Sequence, residues 1–288
     1  MAVHHRYRTI GDHQIFYREA GPSDGPTIVL LHGFPTGSFM YRNLIPLLAD
    51  WYHVIAPDFL GYGLSDAPTV EEFDYSFDAL AQITAKLLEE LGVERYAIFV
   101  QDYGAPIGWR LALWDRDAVT AIITQNGNGY DEGFIAEGWQ PIWDYQDDPS
   151  PENEAQLRHA LTMEAIKSQY TTGAPDESVV SPDTWHYDYA QLSRPGNDRV
   201  QLQMFRDYAT NPPLYPKLHD WLRDKQTPVL AVWGKHDPFF GPEGAYAFTR
   251  DTARAEVHLF DGGHFLLETA LEEVAAVVND FLGRELRR

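Results

Sequence analysis

Cysteine is absent from this chain of 288 residues. Without thiols the protein can form no disulfide, use no thiolate nucleophile and build no cysteine-based metal site. Basic residues are also few: 22 Lys and Arg stand against 43 Asp and Glu, which gives a formal charge of −21. Because the phosphates of nucleic acid and of anionic membranes would be repelled, we expect neither as a partner.

Long apolar runs are missing as well. The N-terminal stretch MAVHHRYRTI contains no apolar signal core, and no segment approaches the length of a transmembrane helix. We also find no internal repeat and no low-complexity segment. The sequence therefore predicts a soluble cytoplasmic protein.

The two ends of the chain alternate strands with helices. In residues 1–127 the dense apolar stretch TIVLLHG predicts a buried parallel strand, and FDALAQITAKLLEEL predicts an amphipathic helix that ends at Gly92. In residues 223–288, TPVLAVWG and AEVHLF predict two more strands, followed by a helix over LEEVAAVVNDFL. This alternation indicates an α/β fold, in which a mostly parallel sheet is flanked by helices.

Residues 128–222 have a different composition, with crowded aromatic residues and helical segments that prolines interrupt. We predict that they form a helical cap inserted between two strands of the sheet. Aromatic side chains suit the wall of an apolar cavity, which favours a lid over a pocket. An independently folded decoration is the alternative.

The stretch YAIFVQDYGAPIGWRLAL, residues 96–113, predicts a strand, a tight turn and a helix, with Asp102 at the apex of the turn. A nucleophile elbow has this form and needs small neighbours. Gly104 is one such neighbour, while Val100 stands where glycine is often found. The helix N-terminus favours negative charge at the apex, although a lone Asp there could also be a helix cap.

Two further polar residues follow strands downstream. Asp237 lies in GKHDPFF, just after TPVLAVWG, and His264 lies in DGGHFLLE, just after AEVHLF. Nucleophile, acid and histidine in this order match the chain order of the α/β-hydrolase triad. Upstream, LHGFPTGSF would direct the backbone N–H of Phe34, together with that of Tyr103, at a developing oxyanion.

With His-Gly-Phe-Pro and GYGLSDAP (61–68), these motifs resemble the α/β-hydrolase superfamily over nearly the whole chain. More narrowly, the chain is similar to epoxide hydrolases and haloalkane dehalogenases, which use aspartate at the elbow. The resemblance implies that Asp102 is the nucleophile, His264 the base and Asp237 the orienting acid, and that neither cofactor nor metal is needed. An acid directly after VTAIITQ, as in some dehalogenases, is not indicated, because Asn126 follows that strand.

The leaving group separates the members of this branch. Haloalkane dehalogenases usually carry Asn at the position of Phe34 and Trp at that of Tyr103, and haloacetate dehalogenases usually place arginines just after the nucleophile. Epoxide hydrolases use two cap tyrosines, for which Tyr145 and Tyr208 match best by distance along the chain. The local Tyr-Arg pattern of epoxide hydrolases aligns instead with Phe205–Arg206. Other candidates stay open: Tyr187, Tyr189 and Tyr215 for an epoxide, Trp139 and Trp143 for a halide.

The resemblance therefore predicts an epoxide hydrolase that opens a small apolar epoxide with water, through an alkyl ester on Asp102. Its pocket is expected to include His32, Pro35, Trp143 and Phe205, although His32 can equally brace the turn in which it lies. We expect a monomer or a homodimer. A hydrolytic dehalogenase is the first alternative, and a non-catalytic ligand-binding member of the fold is the second.

Overall fold

The computed structural model describes residues 2–286. Eight strands form one sheet: β1 (His4–Ile10), β2 (His13–Ala20), β3 (Thr27–Leu31), β4 (His53–Pro57), β5 (Tyr96–Gln101), β6 (Val119–Gln125), β7 (Val229–Gly234) and β8 (Ala255–Phe260). The strand order is β1-β2-β4-β3-β5-β6-β7-β8, with β1 and β2 antiparallel and β3 to β8 parallel. The predicted fold, a mostly parallel sheet flanked by helices, is confirmed.

Eleven α-helices accompany the sheet in the described part of the chain: α1 (Leu44–Leu48), α2 (Phe77–Glu90), α3 (Gly104–Trp114), α4 (Ala136–Asp147), α5 (Pro151–His159), α6 (Met163–Thr171), α7 (Pro182–Leu192), α8 (Asn197–Asp207), α9 (Tyr215–Lys225), α10 (Pro242–Ala247) and α11 (Leu271–Leu286). Short 3-10 helices lie at Ser38–Tyr41, Glu177–Val179, Tyr208–Thr210, Pro212–Leu214, Phe248–Arg250 and Leu266–Glu268. Within residues 2–286, no helix combines the length and apolarity needed to cross a membrane.

The core lies along the central strands. Strands β4, β5 and β7 are buried along their whole length, as expected for parallel strands covered on both faces. Helices α2 and α3 pack together, and α1 packs against α11. Because β3 to β8 run parallel, their carboxyl ends meet at one edge of the sheet, where ligands bind in open α/β folds.

Helices α4 to α9 occupy the connection between β6 and β7, which we call the helical insertion (residues 126–228). The domain division predicted from the sequence has its first boundary, 127/128, in the loop after β6. Its second boundary, 222/223, falls inside α9 rather than in a loop. The division itself stays a prediction.

Candidate active site

Asp102 lies in a strained turn between β5 and α3. Its φ of +48° is in the left-handed region, which costs an L-residue about 1–2 kcal/mol. The turn also packs tightly against the end of β3: a Cβ atom on Gly104 would lie 2.0 Å from the carbonyl oxygen of Leu31. This close approach explains why a glycine is required two residues after Asp102.

The carboxylate of Asp102 is held by backbone donors. Its Oδ1 accepts a hydrogen bond of 2.7 Å from the N–H of Phe34, and the N–H of Tyr103 also donates to it. Burial raises the pKa of Asp102, while the nearby His264 and these two N–H groups oppose that rise. The same two donors can stabilise negative charge that develops on an oxygen bonded to Asp102 Cγ.

His264 is buried and contacts Asp237. Its Nδ1 lies 2.7 Å from Asp237 Oδ2, and Asp237 Oδ1 accepts from the N–H of Phe239 at 2.7 Å. Burial would lower the pKa of His264, but the carboxylates of Asp237 and Asp102 outweigh burial, so the pKa is raised. A buried imidazole that is oriented by one carboxylate and faces another can act as a general base.

Two polar residues of this site were not assigned from the sequence. Asn126, at the end of β6 with a φ of +46°, donates from Nδ2 to Asp237 Oδ2 at 2.8 Å and accepts from the N–H of Gly234 at 2.9 Å. The amide nitrogen of Gln101 lies 2.7 Å from His264 Nε2. Gln101 ends the apolar strand β5 and Asn126 directly follows the apolar strand β6, and this position at a strand end was the signal that could have revealed them.

A cavity of about 550 Å³ separates the sheet edge from the helical insertion. Asp102, Tyr103 and His264 line it on the sheet side. Apolar side chains form much of the wall, and polar ones lie among them: Phe34, Trp139, Ile142, Leu157, Phe205 and Phe239, with Glu137, Gln156, His159, Glu164, Ser168 and Gln169. None of the described residues that line the cavity is Lys or Arg.

Of the pocket residues predicted from the sequence, Phe205 lines this cavity. His32 and Pro35 are buried beside the site without lining the cavity. The ring of His32 accepts from the N–H of Phe59 and contacts the carbonyl of Gly33, both at 3.0 Å, and burial lowers its pKa to about 4. A neutral His32 therefore braces the turn.

Trp143 does not line the cavity either. Its ring stacks on that of Trp139, with ring centroids 5.2 Å apart. The indole N–H of Trp139 donates to the carbonyl of Phe239 at 2.9 Å. That donor is therefore already engaged and does not face a halide.

The two predicted tyrosines lie in different places. The buried ring of Tyr208 packs between Tyr103 and Trp139, with centroid distances of 6.0 and 4.5 Å. Burial raises the pKa of its phenol well above the usual value, and the neighbouring Tyr215 and then the charge of Asp102 add to the rise. Tyr145 instead lines a separate groove with Arg158 and Arg206. Tyr208 does not line the cavity either, but it lies near enough to Asp102 to feel its charge, whereas Tyr145 lies in the other groove.

Comparison with known proteins agrees with this geometry. A family model for the alpha/beta hydrolase fold matches residues 26–271. An uncharacterized hydrolase of Saccharomyces cerevisiae is 40% identical over 279 residues, which cover 96% of this chain and 95% of that protein. A haloalkane dehalogenase of Mycobacterium marinum is 34% identical over 240 residues, 79% of this chain and 74% of the dehalogenase. Epoxide hydrolase 3 of Xenopus tropicalis is 28% identical over 284 residues, 92% of this chain and 74% of its own length.

Among solved structures, the haloalkane dehalogenase DbeA of Bradyrhizobium elkani USDA94 aligns with a TM-score of 0.83 at 24% identity, covering 100% of both chains. At that identity the likeness concerns the fold. Together with the family model and the sequence relatives, it identifies the chain as a hydrolase that belongs to the α/β-hydrolase family, among whose members it is similar to haloalkane dehalogenases and epoxide hydrolases.

Proposed function

We propose that this hydrolase opens epoxides to diols through a covalent ester on Asp102. The observation that carries the proposal is the phenol of Tyr208, which is buried and within electrostatic reach of the Asp102 carboxylate. With its pKa raised, this phenol stays protonated, so its O–H can donate a hydrogen bond to the epoxide oxygen and pass its proton to the more basic alkoxide. An alkoxide leaving group is strongly basic and gains much from such a donor, whereas a halide gains little.

The first half-reaction needs only these two groups. A carboxylate oxygen of Asp102 attacks one epoxide carbon, and the C–O bond to the epoxide oxygen breaks. The electron pair of that bond goes to the oxygen, which takes the proton of Tyr208. The product is a hydroxyalkyl ester of Asp102 and a phenolate at Tyr208.

The second half-reaction uses His264. A water molecule gives a proton to Nε2 and attacks Cγ of the Asp102 ester. The N–H groups of Phe34 and Tyr103, which donate to the carboxylate in the free enzyme, hold the resulting oxyanion. Collapse of this intermediate frees the diol and restores the carboxylate, and the proton of His264 returns to the phenolate through the alcohol or solvent.

Asp237 is proposed to stabilise the imidazolium that forms at His264, and the helical insertion is proposed to act as a cap that shields both steps from bulk water.

Tyr145 has no part in this scheme, because it lies in a different groove. A small apolar substrate fits the aromatic wall of the cavity. The cytoplasmic location and the monomeric or homodimeric state remain predictions.

Hydrolytic dehalogenation is the second candidate, favoured by the 34% identity to the haloalkane dehalogenase of M. marinum. The same carboxylate and base would serve it. Against it, Phe34 offers no side-chain donor to a halide, and the indole N–H of Trp139 is bonded to a carbonyl.

A matched panel of epoxides and haloalkanes with the same carbon skeletons tests the proposal. We expect diol release from the epoxides, no halide release, and loss of diol release in Asp102→Ala. Halide release alone would establish the second candidate. No turnover of either class by a folded protein would contradict both.

A further inference from the structure

Gln101 is the last residue of β5, immediately before Asp102, and it is fully buried. Its side-chain amide nitrogen lies 2.7 Å from Nε2 of His264. This ring nitrogen is the atom that must receive the proton of the hydrolytic water. Gln101 therefore occupies the basic end of the imidazole in the free enzyme.

The proton positions follow from Asp237. A carboxylate can only accept, so the 2.7 Å contact between Asp237 Oδ2 and His264 Nδ1 requires a proton on Nδ1. In the neutral ring Nε2 then carries a lone pair, and the amide N–H of Gln101 is its donor. A hydrogen bond to the neutral form of a group favours that form over the charged one.

The surroundings of Gln101 are shaped for this contact. A Cβ atom on residue 33 would lie 2.5 Å from Gln101 Oε1 and 2.3 Å from Asp102 Cβ, so Gly33 leaves the space for the amide. Within the described part of the chain, Gln101 Oε1 has no hydrogen-bond partner. A buried orphan acceptor is costly, and an apolar side chain would avoid the cost. The advantage of an amide at this position is its contact with His264.

We propose that Gln101 is a positioning residue whose amide N–H binds the lone pair of His264 Nε2, keeps the imidazole neutral and correctly oriented, and yields its place to the hydrolytic water. The titratable groups that face His264 are Asp237 and Asp102, and both raise the pKa of the ring. Its other close neighbours are the rings of Phe239, Phe240 and Phe265.

The amide therefore opposes the two carboxylates. In the free enzyme they favour the imidazolium, which has no lone pair and cannot accept a proton from water. Conversion of Asp102 to an ester removes one of the two charges, and the amide of Gln101 then favours the neutral base at the stage that needs it. This last step rests on the proposed function, whereas the contact itself does not.

The test is an NMR titration of the His264 ring in Gln101→Met, a variant of similar length that has no donor. The chain has 11 histidines, and the His264 signals are identified by their loss in His264→Gln. We expect the pKa of His264 to rise by about 0.5–1 unit, the size of one ordinary hydrogen bond. In Gln101→Glu the rise should be larger, because a carboxylate adds charge and accepts.

Gln125→Met is the matched control. Gln125 is buried, pairs with Gln101 across β5 and β6, and donates to the backbone carbonyl of His264 at 3.3 Å without contacting the ring. Its replacement should leave the pKa of His264 where it is in the parent. An unchanged pKa in Gln101→Met would overturn the proposal. A lowered pKa would overturn it too, since it would mean that Gln101 presents its oxygen to a protonated ring.

Kinetics supply the second readout. Ester hydrolysis needs neutral His264, so its rate falls as the pH drops through the pKa of that residue. In Gln101→Met the acidic limb of single-turnover hydrolysis should move to higher pH by the same amount as the NMR titration. A limb that stays in place would overturn the kinetic role. The NMR titration needs no turnover, so a protein inactive on epoxides would refute the proposed function and still report on Gln101.

Discussion

Asp102 lines the cavity and Tyr208 is buried near it, and the two residues are positioned by different means. Asp102 is fixed by the backbone: a left-handed turn at the end of β5, a glycine packed against β3 and two N–H donors hold its carboxylate. Tyr208 is fixed by its neighbours, since its ring packs among those of Phe77, Tyr103 and Trp139. The position of Asp102 follows from its place at the end of a strand, which can be read from the sequence. The position of Tyr208 follows from how the helical insertion packs against the sheet side.

The buried side chain of Arg110 connects the two sides. Arg110 of α3 donates to Asn211 Oδ1 at 2.8 Å and to Thr210 Oγ1 at 3.0 Å, and it pairs with Asp78 of α2. The turn that carries Tyr208 is thus tied to the helix that starts beside Asp102. Tyr145 lies in a separate groove. The comparison therefore predicts large effects at the sheet edge, an intermediate effect at Tyr208 and none at Tyr145.

The largest effect is expected at the nucleophile. Asp102→Ala should reduce turnover by about 10⁶-fold, the scale seen when a catalytic nucleophile is removed. His264→Gln should still form the ester and fail to hydrolyse it, so intact-mass measurement should find the substrate bound to the peptide that contains Asp102. The double variant is the control and should carry no adduct. An adduct on any other peptide would contradict the role of Asp102.

The next effect is expected at Asp237. Asp237→Asn should slow ester hydrolysis roughly 10²–10⁴-fold, because the imidazolium loses its carboxylate. Asn126 should make the loss of rate larger, because its Nδ2 donates to Asp237 Oδ2 in the parent and would face a second amide group in the variant. Single-turnover kinetics separate the two steps. Impaired alkylation with intact hydrolysis would show that Asp237 does not act through His264.

The strand ends explain how much of the site could be predicted. Asp102, Asp237 and His264 each follow an apolar strand, and parallel strands bring their carboxyl ends to one edge whatever the packing details are. Strand β1 was not predicted, because HHRYRTI is polar and six of its residues are exposed. It is stabilised by antiparallel pairing with β2 after a turn at Gly11, which periodicity does not detect.

The helical insertion could be predicted only as a helical, aromatic segment. Helical spacing puts Tyr145 one turn beyond Pro141 and Ile142, which do line the cavity. The cavity ends before that turn, and Tyr145 packs towards Arg158 and Arg206 of the neighbouring helices. Where a cavity ends depends on how α4, α5 and α8 pack together, which chain spacing does not encode.

Tyrosine substitutions sharpen this contrast. Tyr208→Phe keeps the ring and removes one donor, so epoxide opening should slow about 10²–10³-fold, as for a lost oxyanion-hole donor. Tyr145→Phe removes the same group from a tyrosine in the separate groove and should keep the parent rate. The measurement is single-turnover formation of the ester. A slow Tyr145→Phe beside a normal Tyr208→Phe would reverse the assignment.

The smallest effect concerns the strain stored at the sheet edge. Asp102→Gly and Asp102→Ala both remove the carboxylate, and they differ in the Cβ atom that the left-handed turn disfavours. That conformation costs a non-glycine residue about 1–2 kcal/mol. Against this, glycine lowers the free energy of unfolding by about 0.4–1 kcal/mol, because it makes the unfolded chain more flexible. Asp102→Gly should therefore be the more stable variant by about 0.5–1 kcal/mol, read from urea unfolding with equal m-values. Ala155, exposed in α5, supplies the control of opposite sign, since Ala155→Gly should destabilise by a similar amount. If glycine destabilised both positions equally, the turn at Asp102 would hold no strain, and the backbone would not be what fixes the carboxylate.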